Sequence, residues 1–297
     1  MNIKNKITKK VNESLFISAP EKSLSVFRIA LGLLTLIQCL LTLPYSASLY
    51  GRHGILDAEL MSYISGWSLP MTSFFVSSGI DYRWIVYGVM IVQIVSAVSF
   101  LLGYRYYIAC FGLWITNTIV MNSGEVSAYG VNRYLQLFSF MALFMPLNQV
   151  YTLRKDAIKV SHSQSQQSLW FLRLALGLTY FHAGIGKSFG LDWWTGDAVW
   201  RSLNLPEFNQ FDLFWTGQYP LIYKILGWGT LFFEAFYVIG ILFRKSRVLF
   251  VSSMILMHIG ISLGLGLHFF ALAMTIFNVT LFYSDILLIY NKRFGVQ

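Results

Sequence analysis

The chain has 297 residues, of which 56 % are hydrophobic, 17 % aromatic and only 12 % charged, with a formal net charge of +9. A soluble domain carries about 25 % charged residues, so this much apolar surface must face lipid. Composition therefore excludes an ordinary soluble globular protein. It also turns the basic surplus from a nucleic-acid signal into one of loop charge at a membrane.

Crossing the hydrocarbon core takes about 20 mostly apolar residues. Stretches of that kind lie at 24–43, 84–102, 104–121, 134–150, 170–188, 221–243, 248–266 and 268–290. The expected fold class is all-α: a polytopic integral membrane helical bundle of about eight spans. The fourth stretch is short. A turn at Gly264 and Gly266 separates the last two, which also suits one span followed by a re-entrant segment. A basic tail at 1–23 leads into an uncleaved first span. One transmembrane domain then fills 24–290, and a short tail ends the chain at 291–297.

Loop charge sets the orientation. With both termini cytoplasmic, 16 of the 22 Lys and Arg residues fall inside. They include Arg154, Lys155 and Lys159, the cluster Arg244, Lys245 and Arg247, and Arg28 and Arg173 at the inner ends of spans one and five. Six fall outside: Arg52, Arg83, Arg133, Lys187, Arg201 and Lys224. The polar stretch SHSQSQQS at 161–168 reads as an inner linker. Cys39 and Cys110 lie at depths about 13 Å apart at 1.5 Å per residue, so no internal disulfide is expected.

The longest outer segments are 44–83 and 189–220. The second is dense in Trp and Phe and carries Asp192, Asp197, Glu207 and Asp212, which predicts short amphipathic helices on the membrane surface. The phrases SVFRIALGLL and WFLRLALGLT, about 145 residues apart, hint at an internal repeat.

Ionisable residues within spans are costly and usually face a cavity or a partner. Lys187 ends the phrase YFHAGIGK, five residues after His182. Glu234 and His258 are placed mid-span, His268 follows the glycine turn, and Asp285 is read as interfacial. Each also has a structural reading. Lys187 could snorkel to headgroups, Glu234 could pair with Arg28, Arg173 or a histidine, and His258 could be a satisfied core residue. Histidine spacing gives no HExxH, so no metal is expected, and GxSxG and P-loop motifs are absent.

The stretch YFHAGIGKSFGLDWWTGDAVW resembles the signature of the HTTM family, the membrane domain shared by vitamin K-dependent γ-carboxylase and bacterial relatives. The matching residues are Tyr180, Phe181, Ala183, Gly184, Lys187, Asp192, Trp193 and Gly196. SLSVFRIALGLL, YGRHGIL at 50–56 and MHIGISLGLGLHFF at 257–270 agree in order. Within the family the chain is most similar to the sporulation-delaying protein B group, whose members serve the maturation of a peptide toxin. The resemblance implies a bacterial cell-membrane protein whose partners are the lipid bilayer, a toxin precursor and a companion maturation protein, with no nucleic acid. A quinone or a lipid is the cofactor class it suggests. Lys187 matches the lysine that deprotonates vitamin K hydroquinone in the carboxylases, and His258 matches a family histidine, so these two stand as the catalytic candidates. His182, Glu234, His268, Asp192, Trp193 and Arg133 stand as substrate-binding candidates. The carboxylases carry a large soluble domain that has no counterpart here, which weighs against glutamate carboxylation. A non-catalytic scaffold, an immunity protein and a quinone- or lipid-using enzyme on another substrate are the alternatives.

Overall fold

A computed structural model describes residues 16, 19–50, 55, 80–123, 130–153, 159–208 and 210–294. The basic tail, Arg52, most of YGRHGIL, Arg154 and Lys155 lie outside the described residues. Those described form helices and turns, with no strand among them.

The chain divides into two compact units, 21–168 and 1–20 with 169–297. The first holds α1 (Pro20–Thr42), the short α2 (Ser46–Tyr50), α3 (Tyr82–Leu102), α4 (Tyr106–Ser123) and α5 (Gly130–Ala142). Pro20 opens α1, where a missing N–H costs nothing. Asp81 caps α3 through the Arg83 N–H, and Gly103 ends it at φ 71°. A Cβ at Gly103 would lie 2.2 Å from Asn148 Oδ1, so glycine serves both the left-handed turn and the close approach. Cys39 and Cys110 are both buried and free.

The second unit holds most of α6 (His162–Ser188), then α7 (Leu191–Thr195), α8 (Asp197–Asn204), α9 (Pro220–Ala235), α10 (Tyr237–Leu242), α11 (Arg244–Leu265), α12 (His268–Leu281) and α13 (Tyr283–Phe294). The expected short helices of 189–220 are thus present as α7 and α8, followed by a 3₁₀ turn at Phe214–Gln218. Gly266, at φ 67°, closes α11 and separates it from α12.

Three helical segments among the described residues are long and apolar enough to cross a membrane: Pro20–Tyr50, Arg83–Leu102 and Arg244–Leu265. His268–Leu281 is apolar but shorter.

Several boundaries depart from the sequence reading. Residues 161–168 are not a plain linker, because α6 begins at His162. The Gln164 N–H donates to Ser161 Oγ, and the Ser161 N–H donates to Gln164 Oε1, a reciprocal capping box that starts a helix in polar sequence. The fourth apolar stretch yields only the 13-residue α5, about 20 Å long. The sixth and eighth stretches are interrupted at Phe236 and Phe282.

The repeated phrase opens equivalent arrangements in the two units. Arg28 is fully buried and donates to Phe100 O at 2.7 Å, Leu101 O at 2.9 Å and Tyr151 O at 2.6 Å. Phe100 O also accepts the Gly103 N–H, and the last carbonyls of α3 carry the negative end of its dipole, so they suit a guanidinium. Arg173, also fully buried, donates through Nε and Nη2 to Leu281 O, at the end of α12. Four residues after each arginine stands a glycine at a helix contact. A Cβ on Gly32 would lie 3.0 Å from Leu101 Cβ, and one on Gly177 would lie 2.9 Å from Val238 Cγ2.

Asp285 is not an interfacial bystander. One carboxylate oxygen accepts from Arg173 Nη2 and the other from Arg247 Nη1 at 2.5 Å. Both arginines also lie over the Trp170 ring, and Arg247 donates to Ile241 O at the end of α10. A single carboxylate thus joins α6, α11 and α13 in a region where unpaired charge is costly.

Candidate functional site

Lys187 sits in the last turn of α6, and its placement follows from Gly184 one turn earlier. A Cβ there would lie 2.6 Å from Ala235 N and 2.9 Å from Glu234 Cβ. Glycine therefore lets α6 and α9 touch at backbone distance, as small residues do between membrane helices. At that separation Lys187 Nζ donates to both carboxylate oxygens of Glu234, at 2.6 and 2.5 Å. Glu234 is nearly buried, whereas 27 % of the Lys187 side chain remains exposed. The pair is thus open on the lysine side alone.

Trp193 covers that opening, with its ring centroid 5.2 Å from Lys187 Nζ, a cation–π distance. Backbone contacts and indole bonds fix the roof. Gly227 allows the Trp193 carbonyl to approach α9, and Gly196, at φ 89°, packs against Tyr223 and Lys224. Trp194 Nε1 donates to Ser188 O at 2.8 Å, and Trp228 Nε1 donates to Trp194 O at 3.0 Å.

His258 lies on the buried face of α11, within electrostatic reach of Lys187. Its Nε2 is 2.9 Å from the Tyr180 hydroxyl, and Asn278 Nδ2 donates to that hydroxyl at 2.8 Å. Asn278 Oδ1 accepts from Tyr237 at 2.6 Å, which fixes the amide orientation. His258 Nδ1 is buried without a partner among the described residues. Such an atom normally finds a water or a ligand.

The other candidates make separate arrangements. His182 points outward on α6, one position off the Lys187 stripe as its five-residue spacing requires. His268 is bound to Ser262 at 2.9 Å. Asp192 is exposed and pairs with Arg201 at 3.2 Å. Arg133 is exposed on α5, in the other compact unit. Tyr180 belongs to the signature phrase, but the sequence assigns it no role, and Tyr237 and Asn278 stand outside every motif. Asn278 had a readable signal, a lone amide within an apolar helix.

The arrangement can perform proton chemistry. Lys187 can pass a proton to Glu234 without creating net charge, leaving a neutral amine beside a carboxylic acid. In a low-dielectric setting, desolvation weakens the preference for the ion pair over this neutral form. Groups that could ligate a metal do not gather in threes among the described residues.

Comparison with known proteins agrees with the signature. The HTTM domain model matches residues 16–285, nearly the whole chain. No match is found among curated proteins or solved structures. With Lys187, Gly184 and Trp193 of the signature assembled around one ion pair, and the match running from α1 into α13, the chain belongs to the HTTM family of carboxylase-like membrane proteins.

Proposed function

We propose that this protein takes part in maturing a secreted peptide toxin in a bacterial cell membrane, with Lys187 as the reacting base and Glu234 as its proton store. The observation that carries this reading is the Lys187–Glu234 pair, closed on the glutamate side and open beneath Trp193. Proton transfer from Lys187 to Glu234 frees the amine. The amine then takes a proton from a bound substrate, and the resulting anion rests against the lysine ammonium. A quinol hydroxyl or a weakly acidic group on a peptide fits this step. His258 Nδ1 supplies a further polar contact for the substrate.

The proposal includes about eight membrane crossings and cytoplasmic termini. The 16-to-6 distribution of basic residues supports that topology. It places Lys187 and the 189–220 segment outside and Arg244 to Arg247 inside. Cysteine-accessibility labelling in intact cells should leave Arg244→Cys unlabelled by an impermeant reagent and should label Asp212→Cys. The opposite pattern would reverse the topology and move the site to the cytoplasmic face.

The roof segment supplies charge for a precursor. Asp192, Asp197, Glu207 and Asp212 are all exposed, and Arg201 alone opposes them within it. A basic precursor should crosslink along this segment at low salt and lose most of that crosslinking at high salt, as screening of exposed charges requires. No crosslinks at either salt concentration would leave the segment a structural lid and favour a scaffold that does not touch the peptide there.

A further inference from the structure

The polar chain behind His258 has a direction, and it starts from a backbone carbonyl. Asn278 Nδ2 donates to Met274 O at 2.9 Å, one turn back on α12, and to the Tyr180 hydroxyl oxygen at 2.8 Å. A carbonyl can only accept, so the amide nitrogen must be the atom on that side. Both of its hydrogens are then used. Asn278 Oδ1 faces Tyr237, whose hydroxyl donates to it at 2.6 Å.

Tyr180 passes the direction on. Its oxygen accepts from Asn278 and lies 2.9 Å from His258 Nε2. Between a phenol and an imidazole, the phenol is the better donor and the unprotonated ring nitrogen the better acceptor. The hydroxyl therefore donates to Nε2, and the neutral ring carries its one hydrogen on Nδ1. Two aromatic rings hold the imidazole in place, Phe270 edge-on at 5.5 Å and Tyr180 at 5.9 Å.

Nδ1 is thus a donor. It is buried in a residue only 2 % exposed, and it has no acceptor among the described residues. A buried donor left unmet is costly, and only a group with a lone pair can meet it. A carbonyl or anionic oxygen does so. An ammonium or a hydrocarbon does not.

We propose that Met274 O, Asn278 and Tyr180 hold His258 as its Nδ1–H tautomer, and that this N–H recognises a carbonyl or anionic oxygen of the substrate. Asn278 and Tyr180 are positioning residues here, since they act through His258. Lys187 lies within electrostatic reach of His258. The substrate's hydrogen goes to the Lys187 amine, and the electron pair left behind is drawn onto the oxygen that Nδ1–H holds. That last step rests on the Lys187 reading, whereas the tautomer and its oxygen preference do not.

Nitrogen-15 NMR of the full chain in detergent, with labelled histidine, tests the proposal. His258→Gln identifies the His258 signals among the five histidines. Nδ1 should appear as the protonated nitrogen and Nε2 as the bare one. Tyr180→Phe keeps the ring without the hydroxyl and should replace the single tautomer with a mixture. Tyr237→Phe should leave the tautomer unchanged, because Met274 O still orients the amide. Benzophenone is then offered against diphenylmethane, which has a methylene in place of the carbonyl, and N-acetylphenylalaninamide supplies a peptide carbonyl. A bound carbonyl should shift the Nδ1 resonance, and the hydrocarbon should not. A response to benzophenone alone identifies a lipid-soluble carbonyl as the ligand, and one to the amide alone identifies a peptide. The shift should survive in the double variant Lys187→Met with Glu234→Leu, so normal maturation by that variant would remove the Lys187 reading and leave this one standing. A proton on Nε2, a doubly protonated ring, a tautomer unmoved by Tyr180→Phe or moved by Tyr237→Phe, or an Nδ1 resonance indifferent to both carbonyls, as a buried water only would give, would each overturn the proposal. If Tyr180→Phe does not fold, the wild-type spectra decide.

Discussion

Replacing Lys187 with alanine is expected to abolish peptide maturation, a loss of about 10²–10⁴-fold for removal of a positioned acid–base group. Arginine distinguishes the two chemical roles. Lys187→Arg retains a permanent positive charge that can still pair with Glu234, but a guanidinium does not deprotonate near neutral pH. A base role predicts that Lys187→Arg is as inactive as Lys187→Ala. A pure anchor role predicts that it works. Glu234→Gln should match the loss if the carboxylate stores the proton, because an amide cannot accept it.

Stability must be separated from chemistry in that series. Lys187→Ala strands a nearly buried carboxylate, and stranding a buried charge is destabilising. The double variant Lys187→Met with Glu234→Leu removes both charges together, and replacing a buried ion pair with apolar groups is often neutral or stabilising. It should fold and remain inactive. Normal maturation by this folded variant would reduce the pair to a structural contact and remove the catalytic reading.

The largest loss of stability should come from Asp285→Asn. It would leave the buried guanidiniums of Arg173 and Arg247 beside the same Trp170 ring without their shared carboxylate. Breaking a buried charge network in this way costs about 3–5 kcal/mol. Thermal unfolding in detergent should show a lower midpoint, and folded yield should fall with it. An unchanged midpoint would mean that water screens the arginines. Arg28→Met offers a contrast, because Arg28 engages backbone carbonyls at the end of α3. Its removal should cost less, since those carbonyls can be served by water or by a tighter last turn.

Helical class was legible because composition and long apolar runs constrain it directly, and the tight turn at Gly266 was legible from its glycines. The breaks at Phe236 and Phe282 were not, because no proline or glycine marks them. The capping box at Ser161 and Gln164 was present in the sequence, but the polar composition around it suggested a linker. Lys187 and Glu234 could both be singled out as costly charges within apolar runs. Glu234 was one reading of what holds Lys187, with Asp192 the other, while Arg28, Arg173 or a histidine met Glu234's own requirement on paper, so the sequence left the pairing open. Gly184 decides the matter by setting how near α6 comes to α9, a three-dimensional fact. Asp285 was misjudged for a related reason. Nearness to a span end suggested solvent, whereas two arginines from other helices enclose it.

The matching phrases around Arg28 and Arg173 can be extended along their helices in the same register. Gly32 then corresponds to Gly177, and both stand where a neighbouring helix comes close. Continuing the offset of 145 residues sets Thr42 against Lys187 and Cys39 against Gly184. The two units thus share an arginine anchor and a close helix contact at the same register, while the first has a hydroxyl where the second has the Lys187 amine.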